Sequence, residues 1–588
     1  MRAKRAVIVV STVTLVALAA CSGSSGSSND KVSAADRKNF GQKDVAMDAS
    51  AKPPAAPLPG AKKGGTITAL AAGGNNTMDP TEAYSLYNLS ILGGMVTRSL
   101  TQYRYNPKTG HNTLIPDLAT GLGRHNDDYT KWTFTLRKGV KYENGKPVTP
   151  EDIKYGIERS MDRKTFPFGA NYSTLFFLNG DTYTGPYRDD KGKDYEGVVI
   201  HGRDITIKMS KPFPDMPYWG AFPAMSPIPA GSVSKPSKYR LHPLATGPYK
   251  FKSYTPNHSL VLVQNKYWDP DTDPGRRQYV DGYNFKFDVD QNKIDQIMLQ
   301  DQGSAKTTVS LVSVLRQDYH TFKTQAPDRL AVGSLPCTFM LDPDNRKITS
   351  IAVRKALAWA IPYKDIWAAG GAIPGVTRIS AENVTPPGVA GRTKYNPLPG
   401  HKPATTDPDK AKAILKKAGK LNYTLRFSYS KDEPESVAVK DVKVRAFKEA
   451  GFNPQPVATT SDNSTSMLLD PNSDINLRAV EWCPDWPSNG SFIPPVFEST
   501  DIKKNGLGSN FAAFHSEAAD ARMQEIRRMP LAKQGSAWNK LEQTIMKKHF
   551  PVIPKGYAGH ALMVGSKVHG VDVNPGWGEP TWNRMWVE

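Results

Sequence analysis

Trp132-Thr-Phe-Thr-Leu-Arg-Lys-Gly-Val-Lys-Tyr142, followed shortly by Thr149-Pro-Glu-Asp152, is the stretch of this chain that does most to define its fold. Its first five residues alternate between large apolar and polar side chains, which predicts a half-buried strand. Thr149 offers a hydroxyl to cap a helix, proline suits the first turn, and two acids follow at the positive end of the helix dipole. A strand followed closely by a capped helix indicates a mixed α/β protein.

The same two patterns recur on both sides of this stretch. Two hairpins are predicted, the first around Gly202-Arg-Asp204 and the second joining Gly247–Phe251 to Leu260–Val263. Two more helices are predicted, one from Asp407-Pro408 to Gly419 and one at Val353–Ala360. We find no internal repeat, so the sequence favours an α/β protein of more than one domain.

The N-terminus carries an export signal. Basic residues at the start precede a short Val/Ala/Leu-rich run that ends in Leu18-Ala-Ala-Cys21. This pattern resembles a bacterial lipobox, which predicts a signal peptide at 1–20 and a lipid anchor on Cys21. An ordinary signal peptide with a cysteine after its cleavage site is the alternative. Residues 21–62 read as the lipidated cysteine and a flexible tether, and order is expected to begin near Gly64-Gly-Thr66.

The composition allows a large folded body. The chain has 588 residues, of which 39% are hydrophobic, and this length predicts two to four domains. Its formal net charge is +20, but the lysines and arginines are scattered and form no basic arm. An exported protein meets little DNA, so the charge is interpreted as a solvated surface, and no nucleic-acid partner is expected.

Three cysteines are present. If Cys21 carries lipid, Cys337 and Cys483 remain in an oxidising compartment, where disulfides persist. Counting alone leaves two readings open, one bridge between them or two free buried thiols.

Several segments, in this order along the chain, resemble the peptide/nickel family of extracellular solute-binding proteins, family 5, which serve ABC importers. Each segment alone is a weak signal, whereas the ordered set from about residue 63 to the C-terminus is specific. They are Gly64-Gly-Thr66 with Met78-Asp-Pro80, Ile115-Pro-Asp-Leu-Ala119, Trp132–Tyr142 with Asn144–Thr149, Thr246–Phe251 with Asn265-Lys-Tyr-Trp268, Val353–Ile361, and Phe550-Pro-Val-Ile-Pro554.

The resemblance implies a periplasmic-binding-protein-like α/β fold (type II, cluster C), with two main lobes, a hinge and an extra third domain. Ligand would lie between two lobes that close around it. The lobes would be residues 63–108, 242–336 and 555–588 for the first, 109–241 for the inserted second, and 337–554 for the third. We call these ranges lobe I, lobe II and lobe III.

One stretch narrows the resemblance to oligopeptide-binding members. Trp482-Cys-Pro-Asp-Trp486 resembles their Trp-Cys-Ala-Asp-Tyr stretch, and Pro336-Cys-Thr-Phe339 resembles the segment that bears the disulfide partner. The resemblance therefore implies a Cys337–Cys483 bridge. It also implies that Asp485 pairs with the α-ammonium of a bound peptide, because a buried cation needs a buried anion. A surface or helix-capping role for Asp485 is the alternative.

Five further residues are predicted at the ligand site. Trp482 and Trp486 would exclude water around Asp485, although either could be plain core. Tyr172 and Tyr557 would add aromatic or hydroxyl contacts. Arg478 is placed to meet a peptide carboxylate, but it lies four residues before Trp482, where some relatives have an arginine three before. One residue of shift reverses the face of a strand, so recognition of the C-terminus stays open.

The predicted function is that of a lipid-anchored receptor on the outer face of the cytoplasmic membrane. It would capture short peptides, hand them to an ABC permease and work as a monomer without a cofactor or metal. Non-peptide ligands such as an oligosaccharide, a metal chelate or haem stay open, as does a signalling role. No nucleophile turn, metal helix or phosphate loop favours an enzyme.

Overall fold

A computed structural model describes residues 46–187, 194–230, 235–502, 506–574, 576 and 579–588. The predicted signal peptide, Cys21 and the first part of the predicted tether lie outside the described residues. The strands are β1 (Ala46–Met47), β2 (Thr66–Leu70), β3 (Thr101–Asn106), β4 (His111–Pro116), β5 (Arg124–His125), β6 (Lys131–Thr135), β7 (Val198–His201), β8 (Asp204–Lys208), β9 (Tyr249–Thr255), β10 (Ser259–Gln264), β11 (Gly282–Lys286), β12 (Thr308–Ser313), β13 (Leu330–Pro343), β14 (Arg378–Ile379), β15 (Tyr423–Ser430), β16 (Phe452–Thr459), β17 (Leu477–Trp482), β18 (Ile553–Val564), β19 (Val568–His569) and β20 (Trp586–Val587).

Helices alternate with these strands, as an α/β fold requires. They are α1 (Leu86–Ile91), α2 (Pro150–Met161), α3 (Tyr172–Phe176), α4 (Met216–Trp219), α5 (Pro236–Tyr239), α6 (Gln291–Gln300), α7 (Arg316–Gln325), α8 (Ile351–Ala360), α9 (Tyr363–Ala369), α10 (Pro408–Lys417), α11 (Pro434–Glu449), α12 (Ser461–Leu469), α13 (Ile493–Phe497), α14 (Glu517–Arg527) and α15 (Leu531–Lys548). None of the described helices combines the length and the apolar character that a membrane crossing requires.

A mixed nine-stranded sheet joins the first and third predicted lobes. Its order is β17-β13-β18-β12-β2-β11-β10-β9, with β14 paired to β18. β2 runs parallel to both of its neighbours, and the other pairs are antiparallel. β13 and β18 run through the predicted boundary between lobe I and lobe III, and their pairing shifts register between Ser334 and Thr338 and again between Phe339 and Met340. The boundaries themselves stay a prediction.

The smaller sheets lie outside this one. Four antiparallel strands in the order β5-β6-β8-β7 form a sheet within lobe II, β1-β4-β3 form a second, and β15 and β16 form a parallel pair in lobe III. The predicted strand at Trp132 is β6, and both predicted hairpins are present as β7–β8 and β9–β10.

The predicted helix starts follow from their capping residues. Thr149 accepts from the backbone N–H of Asp152, whose side chain accepts in turn from the backbone N–H of Thr149, so both halves of a capping box are made at α2. The Asp407 carboxylate caps α10. Gly419 follows α10 at a φ of 64°, which a residue with a side chain rarely adopts.

Residues 46–62 differ from the predicted tether. β1 pairs with β4, and Ala51 and Ala55 are buried. The backbone N–H of Ala55 donates to the Asp273 carbonyl at 3.1 Å, and that of Leu58 donates to the Tyr279 hydroxyl at 2.8 Å. A flexible tether up to residue 62 was therefore wrong, because small alanines and backbone hydrogen bonds hold this segment without large apolar side chains.

Separate hydrophobic clusters fill the lobes. One cluster is built from lobe III, another mainly from lobe II, and a third mainly from lobe I. Trp486 of lobe III belongs to the cluster of lobe II. The two lobes thus share core beside the predicted ligand residue Asp485.

Buried ion pairs join lobe I to lobe II. Arg159 on α2 contacts the Asp79 carboxylate at 2.7 Å and donates to the Thr81 hydroxyl at 2.8 Å, with both charged side chains almost completely buried. Removing one partner of such a pair leaves an uncompensated buried charge, so the pair holds the segment after Asp79 firmly against lobe II. That segment leads directly to Tyr84.

Candidate functional site

The disulfide between Cys337 and Cys483 fixes the chain just before Asp485. The structure joins these two cysteines, as the family resemblance implies, and so decides between the two readings that the cysteine count left open. Cys337 lies on β13, and the neighbouring Thr338 pairs with Trp482 at the end of β17. The segment that carries Asp485 therefore leaves the edge of the nine-stranded sheet from a covalently anchored point.

Asp485 is the place where all three lobes meet. The Tyr84 hydroxyl of lobe I lies 2.9 Å from its Oδ1 and 3.0 Å from its Oδ2. The Tyr172 hydroxyl of lobe II donates to Oδ2 as well. The structure thus brings together two predicted residues, Asp485 and Tyr172, and adds Tyr84.

The surroundings of Asp485 leave its charge unbalanced. Burial raises the pKa of Asp485 to about 6, against the hydrogen bonds from Tyr172 and Tyr84, which lower it. Among the described residues, no lysine, arginine or histidine nitrogen forms an ion pair with this carboxylate. At neutral pH the group is therefore a carboxylate with polar neighbours but without a cation.

Both tyrosines are held by lobe contacts of their own. The Asp79–Arg159 pair secures the segment that leads to Tyr84. Tyr172 opens α3, and its ring packs 4.4 Å from that of Trp486 and 5.2 Å from that of Trp219, measured between centroids. Burial raises the pKa of both hydroxyls well above the usual value, so they stay protonated donors.

The two predicted tryptophans occupy different places. Trp486 is 2% exposed and packs among aromatic side chains of lobe II, next to Tyr172. Its indole N–H donates to Asp215 Oδ2 at 2.9 Å. Trp482 is half-buried, packs against the core of lobe III, and donates to the Ser491 carbonyl at 3.4 Å. Trp486 thus packs beside Tyr172 in the core of lobe II, whereas Trp482 packs against the core of lobe III.

The structure does not bring Tyr557 to Asp485. Tyr557 is 2% exposed, and its hydroxyl accepts from the backbone N–H groups of Glu382 and Asn383, both at 3.1 Å, and from Arg392 at 3.0 Å. These bonds tie the 382–392 segment to β18. Tyr557 is predicted to contact the ligand, but its hydroxyl is already hydrogen-bonded within the protein.

Arg478 is also structural. It is completely buried, forms an ion pair with Asp344 at 3.0 Å, and donates to the backbone carbonyls of Leu468 and Phe511 at 2.9 and 3.3 Å. The expectation that Arg478 meets a peptide carboxylate is corrected by this position. The side chains of β17 alternate between two faces, and this residue lies on the inner one.

Sequence reasoning missed Tyr84 and Asp215. Tyr84 lies 401 residues from Asp485, and Asp215 lies 271 residues from Trp486. The Met78-Asp-Pro80 motif just upstream was the available signal for Tyr84, because it is anchored by Arg159. No local pattern marks Asp215.

Among the described residues, one cavity lies apart from Asp485, one lies beside it, and one group of a carboxylate and two cysteines lies near it. A cavity of about 280 Å³ lies within lobe III among Tyr363, Tyr395 and His401, and its lining includes neither Asp485 nor either tyrosine of the site. A cavity of about 20 Å³ lies beside Tyr172, Asp215 and Trp486. The Glu481 carboxylate lies near the sulfurs of Cys337 and Cys483, but these form a disulfide and offer no thiolate for a metal.

Comparison with known proteins identifies the family of this chain. The family profile described as "Bacterial extracellular solute-binding proteins, family 5 Middle" matches residues 113–504. The periplasmic oligopeptide-binding protein OppA of Salmonella typhimurium is 23% identical over 466 residues, which are 76% of this chain and 80% of OppA. Heme-binding protein A of Haemophilus influenzae is 22% identical over 515 residues, covering 82% and 87% of the two chains.

A solved structure shows the same fold. Clavulanic acid biosynthesis oligopeptide binding protein 2 superposes with a TM-score of 0.81 at 21% identity, covering 94% of this chain and all of that one. The profile match extends over more than half of the chain, so the protein belongs to family 5 of the bacterial extracellular solute-binding proteins. These proteins are the extracytoplasmic receptors of ABC importers.

Proposed function

We propose that this receptor captures short peptides through their α-ammonium group at Asp485 and delivers them to a membrane permease. The observation that carries the proposal is the Asp485 carboxylate. It lies between three lobes and accepts from Tyr84 and Tyr172, and no cation pairs with it among the described residues.

An α-ammonium is the ligand group that fits this carboxylate. It is mostly charged at neutral pH, because its pKa is about 7.7–8.0. A carboxylate offers about four acceptor positions, and the two hydroxyls leave room for more donors. Pairing balances the charge of this half-buried carboxylate, and charge-assisted hydrogen bonds are stronger than neutral ones.

The peptide backbone has a strand beside which it can lie. β17 is the last strand of the nine-stranded sheet, with β13 as its partner in the ladder, and it leads directly into the disulfide and Asp485. An edge strand presents N–H and C=O groups to which an extended peptide can bond. Such recognition reads the main chain and tolerates varied side chains.

Other ligand classes of the family fit Asp485 less well. Haem carries anionic propionates, which would meet the unpaired carboxylate with like charge. A neutral oligosaccharide would leave the charge unbalanced. The relative named as a haem-binding protein shows that the fold accepts other ligands. The choice among ligand classes therefore has to be argued from the residues of the site.

The rest of the proposal concerns location. The Leu18-Ala-Ala-Cys21 motif supports a lipid anchor on Cys21 at the outer face of the cytoplasmic membrane. Related proteins bear oligopeptide-binding names, which supports a binding role without catalysis. The receptor would act as a monomer that docks on its permease after closing.

The test is calorimetric titration of purified protein starting at Ser22 with dipeptides, tripeptides and tetrapeptides, each with a free or an acetylated N-terminus. Acetylation removes the ammonium charge, so the acetylated peptides should bind at least about 30-fold more weakly. Equal affinity for both forms, or no binding of any peptide alongside binding of haem or a sugar, would contradict the proposal.

A further inference from the structure

Lobe II holds the ligand-binding segment from two sides. Its Tyr172 donates to Asp485, and its Asp215 accepts from the indole of the adjacent Trp486. The two neighbouring side chains at the proposed ammonium site are thus both engaged by lobe II.

Asp215 is well placed to act on this segment. It is 5% exposed and precedes α4, and its Oδ2 accepts from Trp486 at 2.9 Å and from the Ser488 hydroxyl at 3.2 Å. Gly490 approaches so closely that an added Cβ would lie 2.4 Å from the same oxygen. The turn from 486 to 490 is therefore wrapped around one buried carboxylate oxygen.

The ring of Trp486 is enclosed as well as hydrogen-bonded. It lies 6.0 Å from Phe222, 6.2 Å from Phe213 and 6.5 Å from Tyr218, between ring centroids, in addition to its contact with Tyr172. A buried indole N–H left without an acceptor costs free energy, so the bond to Asp215 stabilises the ring in this position in addition to its packing.

From this geometry we infer that Asp215 is a positioning residue for peptide binding. It fixes Trp486 in lobe II and thereby holds the neighbouring Asp485 where Tyr84 and Tyr172 meet it. Lobe II then contributes to peptide affinity by positioning Asp485. The inference rests on the proposed function, because its effect is measured on peptide affinity.

A double-mutant cycle tests the inference with the tightest-binding peptide of the titration series. Asp215→Ala removes the acceptor, and Trp486→Phe removes the donor but keeps a ring. Each should weaken binding by about 10- to 100-fold, the usual cost of losing a hydrogen bond to a charged group. The double variant should lose no more than one single variant, because both changes break the same bond.

Conservative and control variants separate positioning from general damage to lobe II. Asp215→Asn keeps an oxygen that accepts from Trp486, so its affinity should stay within about threefold of wild type. Tyr195→Phe removes a buried hydroxyl of the same cluster that bonds the Leu178 carbonyl at 2.5 Å, away from Trp486. It should lower the Tm without changing affinity.

The outcomes are distinct. Wild-type affinity in Asp215→Ala, additive losses in the cycle, or an equal loss in Tyr195→Phe would overturn the inference and leave peptide binding standing. If Asp215→Ala does not fold, the peptide affinities of Trp486→Phe and Asp215→Asn are compared instead. Weakened binding in Trp486→Phe with near wild-type binding in Asp215→Asn would support the inference, and equal affinities would overturn it. A wild-type protein that binds no peptide would overturn the proposed function and this inference together.

Discussion

Replacing Asp485 by asparagine removes the charge of the proposed site and keeps its size. Two opposite charges about 4 Å apart are worth about 4 kcal/mol at an effective dielectric constant of about 20. Asparagine still accepts a hydrogen bond from the ammonium, which restores about 1 kcal/mol. The expected net loss is about 3 kcal/mol, or about 150-fold in Kd.

The free variant should fold at least as well as the wild type. The folded protein raises the pKa of Asp485 to about 6, so it disfavours the charged form, and removing the charge relieves a cost at neutral pH. An unchanged or higher Tm, measured by calorimetry, would show that a loss of affinity comes from the site.

Calorimetric titration of wild type and Asp485→Asn with a free and an N-acetylated peptide completes the assay. Because acetylation and the mutation remove the two halves of one ion pair, their combined effect should be close to either one alone. Losses that add fully, or a variant that binds the free peptide as tightly as wild type, would refute the reasoning. Tyr172→Phe is the matched control, since it removes a neutral donor to Asp485 and should cost about tenfold.

Peptide affinity, measured by calorimetry across pH, should be greatest near pH 7. Below pH 6 the Asp485 carboxyl is protonated and must lose its proton to bind an ammonium, and above about pH 8 the peptide ammonium itself loses its charge. Asp485→Asn should not show the loss of affinity at acidic pH. Reducing the Cys337–Cys483 disulfide should lower the free energy of unfolding by about 2–5 kcal/mol, measured with denaturant, and weaken peptide binding; unchanged affinity would deny it a part in fixing the site. Arg478→Met should lower the free energy of unfolding by about 3 kcal/mol, because it removes the buried ion-pair partner of Asp344. Peptide affinity should change less than about twofold. A loss of affinity confined to peptides with a free C-terminus would contradict the structural role of Arg478.

Local patterns allowed much of the fold to be predicted. Three examples are the capping box at Thr149, the cap at Asp407 and the hairpin around Gly202. Each depends on residues close together in sequence, so the sequence alone was enough to predict it. The tether prediction failed at 46–62 for the opposite reason. Its small and polar residues gain order from distant partners such as Asp273, which composition does not reveal.

The site was predictable only in part. Asp485, Tyr172 and the disulfide came from the resemblance to a family, whereas Tyr84 and Asp215 act across hundreds of residues. Arg478 shows the limit of assigning a residue's role from its position in related proteins. A shift of one residue in a strand places a side chain on the opposite face, and on the inner face of β17 the buried Arg478 pairs with Asp344.

The most direct test of the account is mass spectrometry of the ligand released from protein that begins at Ser22 and is purified from cells grown in a peptide-rich medium. We expect a set of short peptides of mixed sequence with free N-termini. Release of haem, a sugar or a metal chelate instead would contradict the pairing of Asp485 with an ammonium group.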